Sequence, residues 1–391
     1  RLYPNEEQKV LIAKHLGSCR FIYNYALEKK VRAYQTDKTN LSRFDIQADL
    51  PNMKKSEEYC WLKEVNSLSL QASLANLDSA YTKFFREHKG FPRFKSKKDS
   101  KQSFSIPQKT RVDFENGSIF IPKFKGGIKT KFHRTFEGIV KSSTISRTAT
   151  GKYFVSILVE VNEPDVPMKP ICENKTVGID LGIKTFAVLS DGTEIPNPKH
   201  LKQSLDKVKK LQRSLSHKNK GSKNRDKARR KLALAHEQVT NRRNDFLHKV
   251  TSYLVNNYDT ICLEDLNVKG MVKNHHLAQA LYDIAIGTFN TLLECKAKER
   301  GVNILRIGRF EPSSKMCTCG YINHNLTLAM REWICPKCGS IHDRDLLAAN
   351  NIKRFAFRNI NTVGTTEIYA CGDMSEDAHS AQEAHESSVR G

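Results

Sequence analysis

Three acidic residues, far apart in the chain, each lie at the end of an apolar segment. Asp180 follows the strand-like run TVGI, Glu264 ends the run ICLE, and Asp345 opens the helix-like segment DLLAANNIKR. Ligands bind at the carboxyl ends of strands in α/β sheets, so Asp180 and Glu264 are expected to converge there. Asp345 would reach the same place from a helix N-terminus. Taken singly, each acid could equally be a turn or strand-end residue that faces solvent.

Three converging carboxylates repel one another unless cations lie between them. Hard oxygen ligands with open coordination positions favour Mg²⁺ or Mn²⁺. Two such ions, about 3.5–4 Å apart, can activate water and stabilise the leaving oxygen of a phosphodiester. The joint arrangement of the acids therefore predicts a nuclease site with two metal ions.

Four of the ten cysteines cluster in one short segment. They are Cys317, Cys319, Cys335 and Cys338. The second pair has the Cys-x-x-Cys spacing of a zinc knuckle, whereas the first pair has a single residue between its thiols, which predicts a tighter turn. The cluster predicts one structural Zn²⁺ held by four thiolates, and four free buried cysteines are the alternative. His324 and His342 are candidate ligands if the first pair fails to bind.

The net charge predicts a polyanionic partner. The 391 residues carry a formal charge of +23 at pH 7, and their 39% hydrophobic content is enough for two or three cores. Cations spread along most of the chain favour nucleic acid, and a ribosome-associated or simply basic protein is the alternative. The sequence contains no run of about eighteen apolar residues and no signal-peptide pattern, so we expect a cytoplasmic protein without a membrane partner.

Hydrophobic periodicity predicts helical and β parts ahead of the first acid. Asn5 and Gln8 form a capping-box signature at the start of a helix, and residues 61–88 repeat the helical pattern. Residues 102–163 change to short alternating runs, which predict a small antiparallel β unit. Residues 199–250 have heptad-like leucine spacing interrupted at NKGSKN, which predicts a basic helical hairpin.

Two groups of cations are candidate nucleic-acid contacts. Acidic residues are nearly absent from 199 to 231, which favours a surface that follows a phosphate backbone over a merely solvated face. The hairpin candidates are Lys209, Lys210, Arg213, Arg229 and Arg230. In the segment GFPRFK, Arg93 and Lys95 alternate with aromatic residues that could stack on bases or belong to the core of the β unit.

Several segments, in the same order along the chain, resemble TnpB proteins, the RNA-guided DNA endonucleases encoded by insertion sequences and related to type V CRISPR effectors. They are RLYPNEEQ, LQASLANLDSAYTKFF, GFPRFK, GIDLGIKTFAVLSDG, NRRNDFLHK, EDLNVKGM and the cysteine cluster followed by HDRDLLAANNI. The resemblance implies an α/β fold with a RuvC/RNase H-like nuclease domain, an inserted zinc ribbon, an N-terminal helical bundle and a small β-barrel lobe.

The resemblance also implies a division of the chain into segments. These are residues 1–3, the first strand of the β-barrel (wedge) domain; 4–90, the helical recognition domain; 91–170, the rest of the β-barrel domain; 171–312, the first part of the nuclease domain with the basic hairpin; 313–341, the zinc ribbon; 342–364, the last part of the nuclease domain; and 365–391, a disordered tail. The tail has few large apolar side chains, as disordered segments do.

The resemblance makes Asp180, Glu264 and Asp345 the metal-binding triad of the nuclease, with two Mg²⁺ or Mn²⁺ ions. Two acids in HDRD compete for the third place. The family pattern, an acid directly before the Ala-Ala helix, selects Asp345, with Asp343 as the second candidate.

The resemblance implies two partners: a guide RNA derived from the transposon end, and double-stranded target DNA with a short target-adjacent motif. The protein and its guide RNA would form a monomeric ribonucleoprotein that binds the target DNA. Gln71 matches a family position associated with reading that motif, and Ser67 lies four residues earlier on the same helix face. A plain polar helix surface is the alternative for both. Other functions left open are a nuclease-inactive RNA-guided repressor, a transposase accessory protein and a general RNase.

Overall fold

The structure is a computed structural model that describes residues 1–99, 101–162, 164–271, 273–327, 330–363 and 368–369. The chain divides into two units, Arg1–Glu163 and Pro164–Gly391. Most of the tail predicted for residues 365–391 lies outside the described residues. No helix within the described ranges is long and apolar enough to cross a membrane.

The first unit contains three helices and one antiparallel sheet. Its elements are β1 (Leu2–Tyr3), α1 (Glu6–Asp37), α2 (Arg43–Lys55), α3 (Ser67–Glu87), β2 (Lys101–Ile106), β3 (Arg111–Asp113), β4 (Ser118–Phe120), β5 (Ile128–Thr130), β6 (Ile139–Thr148) and β7 (Tyr153–Glu160), with a 3₁₀ turn at Cys60–Glu64. The seven strands have the order β2-β6-β7-β1-β5-β4-β3, so the N-terminal strand lies between β7 and β5.

The helices of the first unit begin where the sequence supplies caps. In the capping box of α1, Asn5 Oδ1 accepts the Gln8 backbone N–H at 2.8 Å and Gln8 Oε1 accepts the Asn5 N–H at 3.1 Å. α3 then buries Leu70, Leu74 and Leu77, whose spacing places them on one face. The buried face packs into a single core shared by the helices and the sheet of this unit.

The second unit is built on a five-stranded mixed sheet. Its elements are β8 (Ile171–Cys172), β9 (Thr176–Leu181), β10 (Thr185–Leu189), β11 (Glu194–Pro196), α4 (His200–Ser216), α5 (Lys223–Asn257), β12 (Thr260–Glu264), α6 (Val268–Met271), α7 (His275–Ile284), α8 (Ile286–Arg300), β13 (Asn303–Ile307), β14 (Glu332–Ile334), β15 (Ile341–Asp343), α9 (Arg344–Val363) and β16 (Ile368–Tyr369), with a 3₁₀ turn at Glu173–Lys175. The order β11-β10-β9-β12-β13 joins an antiparallel hairpin to the parallel strands β9, β12 and β13.

Helices cover both faces of this sheet. On one face, Ile261 and Leu263 of β12 pack into the core that contains Leu254 of α5 and Phe289 of α8. On the other face, Cys262 packs into a second cluster that includes residues of α9. Burial on both faces explains why the central strands read as continuous apolar runs. The predicted basic hairpin is present as α4 and α5, and α5 continues to Asn257.

The backbones of α9 and β9 approach each other closely at Gly178. A Cβ atom at this position would lie 2.1 Å from the carbonyl oxygen of Ala349 and 2.8 Å from the backbone nitrogen of Lys353. Neither backbone atom can move without shifting the helix. Gly178 therefore sets the distance between α9 and the central strand.

We expect the substitution Gly178→Ala to lower the free energy of unfolding by about 1–3 kcal/mol, because the added methyl group forces α9 away from β9. Urea unfolding monitored by circular dichroism measures this change. Gly287→Ala is the matched control, since no atom lies within 4 Å of a Cβ atom built at Gly287. Equal stability of the Gly178 variant and the wild type would contradict the close packing.

Candidate active site

Two of the predicted acids lie side by side at the carboxyl ends of parallel strands. β9 and β12 are in register, with Leu263 opposite Ile179. The next residue on each strand is Asp180 or Glu264. Because both strands end here, their carboxylates lie at one edge of the sheet, as the apolar runs before them predict.

Asp345, the second residue of α9, joins this edge from the helix N-terminus. Asp343, just before the helix, accepts the backbone N–H groups of Asp345 and Leu346 on Oδ1, at 3.0 and 2.8 Å. The carboxylate of Asp345 instead accepts a hydrogen bond from Arg331 Nη1 and lies 3.7 Å from Arg344 Nε. The two candidate acids therefore differ: Asp343 caps the helix, and Asp345 binds arginines.

Glu264 and Asp345 both lie within electrostatic range of Asp180. Burial raises the pKa of Asp180 to about 7, and the charges of Glu264 and Asp345 contribute to the rise. The positive charges of Arg344 and Arg331 oppose it. A large fraction of Asp180 is therefore protonated at neutral pH, and additional positive charge would favour the ionised form. A set of three carboxylates with this shortage of positive charge fits a hard divalent cation such as Mg²⁺ or Mn²⁺.

A cleft of about 970 Å³ opens at this edge of the sheet, and Asp180 and Asp345 both line it. Five basic residues also line it. They are Lys184, Lys199, Lys202, Arg331 and Arg344. Cations beside an acidic centre create a field that attracts a polyanion to the carboxylates.

Sequence reasoning missed two residues that hold the acids in place. Ser313 Oγ donates a hydrogen bond to Glu264 Oε1, and the backbone oxygens of Ser313 and Met316 each accept from Asn351 Nδ2 at 2.6 Å. Asn351 belongs to α9 and is 1% exposed. The network joins Glu264 to α9, the helix whose second residue is Asp345. One signal in the sequence could have indicated this network: Asn351 is a polar residue at a position where the helical pattern predicts burial.

The substitution Ser313→Ala is expected to weaken Mn²⁺ binding by about 10–100-fold, because Glu264 loses the partner that orients it. Electron paramagnetic resonance of free and bound Mn²⁺ measures the affinity. Ser313→Thr keeps the hydroxyl donor and should bind as the wild type does, and Ser314→Ala controls for a change in the neighbouring residue. Unchanged Mn²⁺ affinity in Ser313→Ala would show that the hydrogen bond does not position Glu264.

The four predicted cysteines form one cluster. Their sulfur atoms all lie within 4.8 Å of one another, as four ligands of a single ion require. Each pair is formed by a backbone turn. The Gly320 N–H binds the Cys317 carbonyl at 3.0 Å and the Gly339 N–H binds the Cys335 carbonyl at 2.8 Å. Both glycines have positive φ angles, 87° and 74°, so the shorter first pair still forms a turn like the second.

The two spare histidines differ in position. His342 Nε2 lies 3.0 Å from Cys317 Sγ, and its ring packs against Trp333. His324 is not part of the sulfur cluster. Hydrogen bonds with Ser340 lower the pKa of the Cys338 thiol to about 6, which favours a thiolate ligand. The cysteines fit Zn²⁺ without a histidine ligand.

The double substitution Cys335→Ser with Cys338→Ser should remove bound zinc and lower the thermal midpoint of unfolding, because two of four thiolates are lost. Inductively coupled plasma mass spectrometry measures the zinc, and differential scanning fluorimetry measures the midpoint. Cys60→Ser is the control, since Cys60 is an exposed free thiol in the first unit. A double variant with wild-type zinc content and midpoint would exclude the site.

The predicted nucleic-acid contacts belong to both units of the chain. Lys209, Lys210, Arg213, Arg229 and Arg230 are exposed on α4 and α5. In the first unit, Gln71 is half-buried and Ser67 accepts a hydrogen bond from Lys54 Nζ at 2.6 Å. Arg93 is exposed, and the Lys95 ammonium lies 4.0 Å above the Tyr23 ring.

Three family models match parts of the chain. Residues 156–275 match a model described as "Probable transposase", residues 287–352 match a "Cas12f1-like, TNB domain", and residues 1–39 match a "Helix-turn-helix domain". A cryo-EM structure of a Cas12f1-sgRNA-target DNA complex has a similar fold, with a TM-score of 0.53 at 16% identity over 88% of this chain and 82% of that one.

Two relatives match along almost the whole chain. A candidate RNA-guided DNA endonuclease of Streptomyces pristinaespiralis is 37% identical over 393 residues, which cover 100% of this chain and 94% of the relative. A candidate RNA-guided DNA endonuclease of Escherichia coli K12, InsQ, is 31% identical over 96% of this chain and 93% of its own length. The family resemblance of the sequence motifs is thereby confirmed: the chain belongs to the TnpB family of RNA-guided DNA endonucleases.

Proposed function

We propose that this chain is an RNA-guided endonuclease that uses divalent metal ions to hydrolyse double-stranded DNA next to a short target-adjacent motif. One observation carries the proposal: Asp180 and Glu264 end neighbouring strands that are in register, and Asp345 lines the same cleft as Asp180. Membership of the family supports guidance by RNA. In guided nucleases, base pairing reads the sequence, and the protein reads the adjacent motif and the duplex shape.

Asp180, Glu264 and Asp345 would hold two Mg²⁺ or Mn²⁺ ions. When bound, such ions supply an activated water and neutralise charge on the leaving oxygen of the phosphodiester. The surrounding residues keep the carboxylates in place. Ser313 orients Glu264 by a hydrogen bond, and Asp343 caps the helix on which Asp345 lies. Fixed carboxylates lose little free energy to reorganisation during the reaction.

Arg331 and Arg344 would bind the scissile strand. Both line the cleft and lie beside the Asp345 carboxylate. A guanidinium group can donate two parallel hydrogen bonds to phosphate oxygens, which positions the phosphate as well as attracting it. The lysines of the same cleft add positive charge along the path of the strand.

We assign the RuvC-like nuclease domain to residues 171–312 and 342–364, with the zinc ribbon of residues 313–341 inserted. A hairpin followed by parallel strands, covered by helices on both faces, supports this assignment. The exposed cations of α4 and α5 would follow a nucleic-acid backbone. Residues 1–170 would hold the guide RNA and read the motif, with Gln71 and Ser67 as readout candidates. We expect a monomeric ribonucleoprotein in the cytoplasm, with a guide from the transposon end.

If Asp180 and Asp345 bind the metal ions, Asp180→Ala and Asp345→Ala should each lower the rate of target cleavage by more than about 100-fold. Loss of a residue that only supports a metal ligand typically costs about 10–100-fold. Asp343→Asn, which preserves the helix cap, should retain cleavage. The measurement uses protein purified with its RNA, a plasmid bearing the matched target, and Mg²⁺.

The guide RNA should copurify in equal amounts with every variant, which separates loss of chemistry from loss of assembly. Wild-type cleavage by Asp180→Ala would contradict the triad. Guided DNA binding without cleavage by the wild type would instead identify a repressor. Cleavage of RNA alone would identify a general RNase.

A further inference from the structure

Phe310 is the most exposed large apolar side chain in the described part of the chain. It is 94% exposed, whereas the next value, that of Ile341, is 72%. A phenylalanine left in water forgoes the free energy of burial that usually places this residue type inside a protein. At this exposure the whole ring is available to a partner that covers it.

Phe310 lies in the loop between the end of β13 and Ser313. β13 ends at Ile307, which pairs with Glu264 on β12. Phe310 follows three residues later, and Ser313, three residues further on, contacts the Glu264 carboxylate. The ring thus belongs to a short loop whose two ends both lie at the carboxyl edge of the sheet.

Hydrogen bonds and ion pairs hold the backbone of this loop. The Glu311 N–H binds the Gly308 carbonyl at 3.2 Å, and the Ser313 N–H binds the Glu311 carbonyl at 2.8 Å. Arg309 Nη2 lies 2.9 Å from Asp265 Oδ2, after β12. Glu311 Oε1 lies 2.8 Å from Arg358 Nη2 on α9. Arg309 and Glu311, the neighbours of Phe310 in the chain, are both bound to other residues of the second unit, while the Phe310 ring stays in solvent. The ring is therefore a preorganised contact.

We propose that Phe310 is a base-binding residue: its ring stacks on an unpaired nucleobase of the strand held at the acids. This inference rests on the proposed function, because it takes the substrate to be a nucleic-acid strand. Aromatic rings in nucleic-acid channels stack on successive bases of single strands, whatever the base. Bases of an intact duplex are stacked on each other, so the ring selects a strand that is already unpaired.

A protein partner fits this site less well. Arg309 and Glu311 flank Phe310 in the chain, so the apolar surface is a single ring between charged groups. Protein interfaces use contiguous apolar patches of several hundred Å². A nucleotide matches better, because its base covers one ring and its phosphate is attracted by the neighbouring arginine.

The test measures binding of single-stranded oligothymidylate to the full-length protein by fluorescence anisotropy. Phe310→Ala and Phe310→Leu should weaken binding by about 5- to 150-fold, because stacking is lost, and Phe310→Trp should retain it. The thermal midpoint should not change, given the exposure of the ring. Phe44→Ala is the control, since Phe44 is 62% exposed in the first unit. A blunt duplex of equal length should bind all variants equally.

Phe310→Trp also provides a local signal. Oligothymidylate should quench the tryptophan fluorescence of this variant more than that of the wild type. The wild type serves as the reference because it reports any change in the native Trp61 and Trp333. Wild-type affinity in Phe310→Ala, retained affinity in Phe310→Leu, or absence of quenching would each overturn the proposal. These outcomes differ from failure of the proposed function: DNA cleavage lost in Asp180→Ala with normal binding by Phe310→Ala would reject the stacking site alone.

Discussion

Repulsion among Asp180, Glu264 and Asp345 is the constraint on which the rest of the second unit depends. Burial raises the pKa of Asp180 to about 7, and the charges of Glu264 and Asp345 add to the rise. Folding alone would not favour such an arrangement. Arg331 and Arg344 offset part of the repulsion, and on our proposal divalent cations offset the remainder.

The fold keeps the acids together by fixing the elements that carry them. Register between β9 and β12 aligns two acids, and the close approach at Gly178 sets the height of α9 above the sheet. Asn351 ties the same helix to the loop that contacts Glu264. The segment that carries the cysteine cluster takes part as well, because its β14–β15 hairpin follows Arg331, whose carbonyl accepts the Arg344 N–H at 2.7 Å. If this cluster holds zinc, as we propose, loss of the metal would disturb the arginines around Asp345.

Much of this could be predicted from the sequence because the signals were local. Apolar runs ending in acids predicted the strand-end positions of Asp180 and Glu264, and cysteine spacing predicted the cluster of four thiols. The capping box of Asn5 and Gln8 marked the start of α1. Contacts between distant segments could not be predicted in this way. The hydrogen bond from Ser313 to Glu264 spans 49 residues, and the ion pairs of Arg309 and Glu311, which flank Phe310, reach Asp265 and Arg358. Neither has a periodicity or a spacing that marks it in the chain.

The central claim is that the three carboxylates form one metal centre. Anomalous diffraction from crystals soaked in Mn²⁺ tests it most directly, at a pH above 7 where Asp180 is ionised. The account predicts Mn²⁺ peaks between Asp180, Glu264 and Asp345, with none bound to Asp343. A Mn²⁺ ion held by Asp343, or no Mn²⁺ between the three acids, would contradict it.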